Sequence, residues 1–262
     1  AAGKMGQALI QGARESGFAG KDISVSDPSV TAREKCASLF DTNTFSNNEE
    51  ATKNADIVVL SVKPQIIGKA LQSVAASGRE NLLYISVAAG VTLEQLNSYS
   101  EKNIAIVRCM PNTPAIIRAG ITALIANQNV TELQRSDAEN LLTAVGKTVW
   151  LNKESLMDAV TAISGSGPAY FFMLIELLES CAVELGLSAE LAKELSIQTA
   201  YGACKLARNV PESPRELREN VTSPNGTTEA ALRVFAAEEI DRIVKSAVTA
   251  ARDRSIELAK GN

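Results

Sequence analysis

The chain has 262 residues, 45% hydrophobic and 21% charged, which suits two modest globular domains. Its net charge of −4 and sequence pI near 5.2 argue against nucleic acid or an anionic membrane as a partner, since both require a basic face. It contains no histidine, which removes Ser-His-Asp and Cys-His catalysis, histidine-ligated metals and imidazole proton shuttles.

The four cysteines, Cys36, Cys109, Cys181 and Cys204, lie far apart and form neither a zinc pattern nor a disulfide framework. They are expected to be free thiols in a reducing, cytoplasmic setting, with no metal site. The most apolar run, AYFFMLIELLESCAVELG, carries Glu176, Glu179 and Glu184. It is expected to be a buried helix, and no stretch is expected to cross a bilayer.

In chain order, AAGKMGQALIQGARESG is a glycine turn running into a helix, with Met5, Leu9, Ile10 and Ala13 on one face. It resembles the second half of a dinucleotide fingerprint. Gly3 and Gly6 take the second and third glycine positions, where bare backbone lets a pyrophosphate approach the helix N-terminus. Ala1 stands at the first glycine position, and the strand expected before it is absent from the sequence. Next come a short strand, DISVSD, a helix, and then ADIVVLSVKPQ, whose Ile57–Leu60 run suits a central strand buried on both faces. LLYISVAAG and IAIVRCMPN repeat the pattern, and this alternation predicts a doubly wound sheet binding its ligand at the carboxyl ends of the strands. Asp27 ends the second strand, where an acid suits the ribose of NAD. Ser26, Ser29, Thr31 and Arg33 around it suit a 2′-phosphate, and Asp-Pro-Ser is equally good helix-capping chemistry. The residues leave NADPH against NADH open.

Beyond KTVWLN the strand signal stops, and the domain boundary is placed at Glu154. LMDAVTAIS, PAYFFMLIELLESCAVELG, SAELAKELSIQTAYGACKLARN and EEIDRIVKSAVTAARDRSIELAK read as helices. The helix opening at Pro168 is apolar nearly all round, so it needs cover on every side, and a second subunit is expected to supply it. SGSG before it reads first as a close crossing of backbones at the domain junction, with a pocket role second. Lys63, before Pro64, reads as a solvated or phosphate-facing lysine in preference to a catalytic base.

VTSPNGTTEAA places hydroxyls at Thr222, Ser223, Thr227 and Thr228 around an Asn-Gly turn, just ahead of a helical run. Thr227 or Thr228 is a natural cap for that helix. The surplus of hydroxyls, the accessible backbone at Gly226 and the helix dipole together suit a small carboxylate.

These stretches, GKMGQA, SVKPQ, VAAGVT, RCMPNTPA, SGSGPAYFF and above all LRENVTSPNGTTEAA, resemble the pyrroline-5-carboxylate reductase family from Gly3 through the last helix. Asn225 stands where many members have glycine, so a positive φ is expected there.

The resemblance implies a Rossmann-type dinucleotide-binding domain, residues 1–153, followed by an all-helical substrate-binding and dimerisation domain, residues 154–262. It implies reduction of the cyclic imine of 1-pyrroline-5-carboxylate to L-proline by NADPH, or NADH, in a cytoplasmic homodimer or an assembly of dimers. It implies Thr228 at the ring nitrogen, Thr227 and the Gly226 backbone at the substrate carboxylate, Ser223 supporting the loop and Glu154 lining the pocket. For the cofactor it implies Gly3, Lys4 and Met5 at the pyrophosphate and Ser26 and Asn48 near the adenine ribose. Ser61, Val62, Lys63 and Pro64, then Val87, Ala88 and Ala89, follow along the strand ends, with Asn220 from the helical domain. An imine is basic enough to be partly protonated near neutral pH, so alignment and one proton suffice, and the absence of histidine is no obstacle.

Two other classes share the architecture. A 3-hydroxyacid dehydrogenase resembles a pattern with a lysine on the long helix after the boundary, and residues 164–185 hold none. A dinucleotide sensor without turnover has only the altered glycine turn in its favour.

Overall fold

The structure, a computed structural model, describes residues 2–77, 79, 81–100 and 103–260. Ala1, read above at the first glycine position, lies outside the described residues. The chain divides into two compact units, Ala1–Ser166 with Ala251–Asn262, and Gly167–Ala250.

The first unit alternates helices and strands. In order these are α1 (Lys4–Glu15), β1 (Ser24–Ser26), α2 (Val30–Phe40), β2 (Asn43–Phe45), α3 (Asn48–Thr52), β3 (Ile57–Leu60), α4 (Ile67–Ala75), β4 (Leu83–Ser86), α5 (Leu93–Ser98), β5 (Ala105–Met110), β6 (Gly120–Ala126), α6 (Glu132–Thr143), β7 (Gly146–Trp150) and α7 (Met157–Val160). β1 and β2 pair in parallel, and a five-stranded sheet runs β3-β4-β5-β6-β7. Its first three strands are parallel, as their runs of Ile, Val and Leu predict. β6 is antiparallel to β5, in the register Val107 to Ala126. Only residues 111–119 separate the two strands. That is too short for a helical crossover, so the chain turns back on itself.

The sheet is buried on both faces. Leu60, Leu71, Tyr84 and Ile106 pack on one side with Leu96 and Met157. Leu9, Ile85, Val107 and Leu124 pack on the other with Leu142 and Val145. Cys109 sits in this second cluster, and burial pushes its thiol pKa up.

The expectation that SGSG is a close crossing of backbones is corrected, because the neighbour its first glycine meets is the Met110 side chain, and Gly167 meets nothing within 4 Å. Residues Thr161–Gly165 form a π turn, the kind of irregularity that lets a helix continue past an obstruction. A Cβ on Gly165 would lie 2.5 Å from Met110 Cε, so no larger residue fits without a shift. Asn112, in the MPNTP segment, fastens the segment to the start of β6. Its Nδ2 donates to Ser164 O at 3.0 Å and its Oδ1 accepts from Ile121 N at 2.9 Å.

The second unit is helical, with α8 (Gly167–Glu184), α9 (Ala189–Asn209), α10 (Pro214–Asn220), α11 (Thr227–Ala237) and the first half of α12 (Ile240–Lys260). α8 and α9 pack on each other across the short link 185–188. The expectation of a buried apolar helix is corrected for the single chain. Phe172 is 63% exposed, Leu177 53% and Leu174 45%. The expectation that nothing has membrane-spanning length and composition is corrected as well, because Glu154–Glu184 meets both criteria with a mean hydropathy of 1.2. The three glutamates are too unevenly placed to prevent it, since residues 159–178 carry Glu176 as their single charge.

Candidate active site

The amino end of α1 forms one part of the site. Gly3 is its N-cap in extended conformation, with no side-chain cap. Among the described residues no acceptor meets the amides of Lys4, Met5 and Gly6. A Cβ on Gly3 would meet nothing within 4 Å, so the approach to these amides is open. Three free amides at the positive end of a helix form an anion cradle that fits a pyrophosphate.

Asp27 accepts from Ala2 N through Oδ2 and from Ser29 N through Oδ1, both at 2.9 Å. It thus clamps the glycine turn to the start of α2. Ser29 caps α2 through Ala32 N, and Arg33 Nη1 donates to the carbonyl oxygens of Asp27 and Pro28 at 2.6 and 3.1 Å. The capping reading of Asp-Pro-Ser is therefore realised, and Ser26 lies half-buried at the end of β1 beside it. Asn48 opens α3, while the neighbouring Asn47 makes the cap through Glu50 N at 2.8 Å.

The carboxyl ends of β3 and β4 supply the next stretches. Ser61 and Val62 are half-buried, Lys63 is exposed, and Pro64 opens a 3-10 turn. Val87 N donates to Leu60 O at 3.3 Å, joining the two strand ends, and Ala88 is buried beside an exposed Ala89. Asn220, the last residue of α10, is exposed and belongs to the helical unit.

Glu154 is already engaged. Its Oε1 accepts from Arg108 Nη1 at 2.6 Å and from Leu93 N at 2.8 Å. The Arg108 side chain is 5% exposed and that of Glu154 28%. Removing one partner of such a buried pair strands the other charge, at about 3–5 kcal/mol. Sequence reading named Glu154 but missed Arg108, whose only signal was a charge inside an apolar strand.

The loop 221–228 is the second centre. α10 ahead of it is opened by a capping box between Ser213 and Glu216, and the Ser213 hydroxyl holds the Glu216 carboxyl below its usual pKa. Thr222 Oγ1 donates to Arg218 O at 2.6 Å. Asn225 adopts φ 58°, as expected of the residue standing in for glycine. The N-cap of α11 is Gly226, without a side-chain cap, so the expectation that Thr227 or Thr228 caps the helix is corrected. They are its first two residues, and neither hydroxyl has a partner among the described residues. The amides of Thr227, Thr228 and Glu229 likewise lack an acceptor among the described residues. Two threonine hydroxyls and three amides thus lie together at a helix N-terminus, a set suited to a carboxylate and one further polar atom.

Gly226 serves this arrangement in a way the sequence did not suggest. Its own amide is taken by Ser223 O at 3.0 Å, and a Cβ there would strike the Ser223 hydroxyl. The glycine closes the turn. Glu229 then staples it, accepting from Asn225 N at 2.7 Å while pairing with Arg233 at 3.1 Å. A glutamate three residues after the N-cap is the capping-box spacing, and that signal was present in NGTTE.

The family profile described as pyrroline-5-carboxylate reductase dimerisation matches residues 154–258, and one described as NADP oxidoreductase coenzyme F420-dependent matches residues 1–90. A pyrroline-5-carboxylate reductase of Pseudomonas aeruginosa is 45% identical over 259 residues, which cover 99% of this chain and 95% of the relative. The structure of a pyrroline-5-carboxylate reductase from Coxiella burnetii superposes with a TM-score of 0.93 at 37% identity, covering 98% of this chain and 96% of that one. The Plasmodium falciparum pyrroline carboxylate reductase, solved with NADP bound, gives 0.87 at 31% identity, covering 99% and 96%. The chain belongs to the pyrroline-5-carboxylate reductase family.

Proposed function

We propose that the protein reduces 1-pyrroline-5-carboxylate to L-proline with NADPH, with NADH as the alternative donor, and that it works as a cytoplasmic homodimer or an assembly of dimers. Neither nucleic acid nor membrane is part of this reading, in keeping with the net charge of −4. The observation that carries it is the cluster of unpartnered hydroxyls and amides at Thr227, Thr228 and Glu229, inside a chain related over its whole length to enzymes of this name.

In this reading residues 1–153 bind the cofactor and residues 154–262 bind substrate and form the dimer. Gly3, Lys4 and Met5 hold the pyrophosphate through the open end of α1. Ser26 and Asn48 flank the adenine ribose, and Ser61 to Pro64, Val87 to Ala89 and Asn220 complete the cofactor contacts. NADPH supplies a hydride for the imine carbon when bound. The amides at the start of α11 and the Thr227 hydroxyl hold the substrate carboxylate, with Ser223 shaping the turn behind them. Thr228 places its hydroxyl at the ring nitrogen, where it donates to, or relays a proton toward, the nitrogen as it gains electrons.

This assignment is tested by following loss of NADPH absorbance with pyrroline-5-carboxylate. Thr228→Ala is expected to lower turnover about ten- to a thousandfold, the scale of one transition-state hydrogen bond. Full activity in that variant removes Thr228 from the mechanism. Turnover of a hydroxyacid with NAD, and none of the imine, replaces the reading with a dehydrogenase, for which residues 164–185 lack the lysine.

A further inference from the structure

We infer that Glu154, clamped by Arg108, is a positioning residue for the cofactor loop between β4 and α5, and does not line the substrate pocket as the family resemblance implies. The inference rests on the reading of Val87 to Ala89 as cofactor contacts.

The loop from Val87 to Thr92 leaves the sheet at its carboxyl edge and is short. It bends once at Gly90, where φ is 73°, and Val91 behind it is 1% exposed. Its far end is the first turn of α5. Thr92 and Gln95 close that turn as a capping box, and the next amide, Leu93 N, donates to Glu154 Oε1. The same oxygen meets Arg108, rooted in β5 at the centre of the sheet. Gln95 adds a second tether, donating through Nε2 to Ala259 O at 2.8 Å. Glu154 thus links the start of α5 to the rigid sheet, and with so few residues between, a shift at Leu93 is carried back to Ala88 and Ala89.

Charge argues the same way. The proposed substrate is itself a carboxylate, and a second carboxylate beside it would repel it. Glu154 has instead spent an oxygen on a buried guanidinium and a helix amide, where a negative charge is favoured. Its ties are those of a group holding other parts in place.

The test separates the two roles in the full-length protein. NADPH affinity is measured by titration calorimetry without substrate, and the imine KM at saturating NADPH. Glu154→Ala is expected to weaken NADPH about ten- to a hundredfold, as misplaced contact groups do, with the imine KM changed less than about twofold. Glu154→Gln, which keeps an oxygen for Leu93 N, is expected to retain most of the affinity. Should Glu154→Ala fail to fold, Glu154→Asp, which withdraws the oxygen from Leu93, carries the same comparison. A raised imine KM with unchanged NADPH affinity overturns the proposal in favour of a pocket role. No change in either, equal changes in both, or a Gln variant as weak as Ala also overturns it. Because the calorimetry needs no turnover, a protein that binds NADPH but leaves the imine untouched defeats the proposed function, and the role of Glu154 is then decided by the titrations alone: weaker NADPH binding in Glu154→Ala but not in Glu154→Gln supports it, and any other pattern overturns it.

Discussion

The two units treat their apolar residues in opposite ways. In the first, Ile67, Ile85, Leu96, Ile106 and Leu124 are fully buried within a single chain. In the second, α8 exposes Phe171, Phe172, Leu174 and Leu177, and the buried residues of α8 and α9 are Gly167, Ala192 and Ser196. A sheet hides both faces beneath helices drawn from its own crossovers, whereas helices apolar all round find too few neighbours in one short chain. The first unit carries its core alone, and the second leaves apolar faces open in the single chain, within the span 154–258 that the dimerisation profile matches.

The largest expected effect tests that contrast directly. Leu177→Asp places a charge on the exposed apolar face of α8. Each substitution counts twice in a symmetric dimer, and at about 2 kcal/mol per lost side chain the dimer weakens about a thousandfold. Sedimentation should show monomer, while NADPH binding by the first unit persists. An unchanged dimer would break the comparison. A smaller effect sharpens it at the loop. Gly226→Ala should lower kcat/KM for the imine about ten- to a hundredfold with little change in melting temperature, because a loop is misplaced and no core is lost. Ser223→Ala in that background should restore part of the activity by removing the hydroxyl the new methyl strikes.

The smallest effect belongs to the first unit. Burial raises the Cys109 thiol pKa, so the fold favours the neutral thiol. That contribution is whole below the ordinary thiol pKa and is lost as pH rises above it. Cys109→Ala should therefore shallow the alkaline loss of stability by at most about 1.4 kcal/mol per pH unit, the slope of one proton. Alkylation of the native protein should spare Cys36 and Cys109.

Much of this was legible in the sequence because strong local signals carried it. The runs IVVL and LYIS became central strands, and α8, α9 and α12 followed their residue choice. β2 was missed, since three residues, Asn43–Phe45, show no alternation to detect. The reversal at β6 was missed because strand direction depends on the length of a connection and on a partner, not on composition. At the site, the NGTT turn was readable from local chemistry, and the positive φ of Asn225 from the resemblance to a family that often has glycine there. The N-cap at Gly226 was not, because it depends on where the Ser223 hydroxyl comes to rest. The bond between Arg108 and Glu154 spans 46 positions, and no periodicity within either segment announces it.

α12 begins in the helical unit, and its residues from Ala251 onward group with the sheet. There Ser255 reaches Asp158, 97 positions earlier, and Ala259 receives Gln95, 164 positions earlier. A ribosome makes the sheet first and these fastenings later. The early portion of the nascent polypeptide must therefore wait, incompletely tied, until the helical insertion and the segment that follows it have been synthesised.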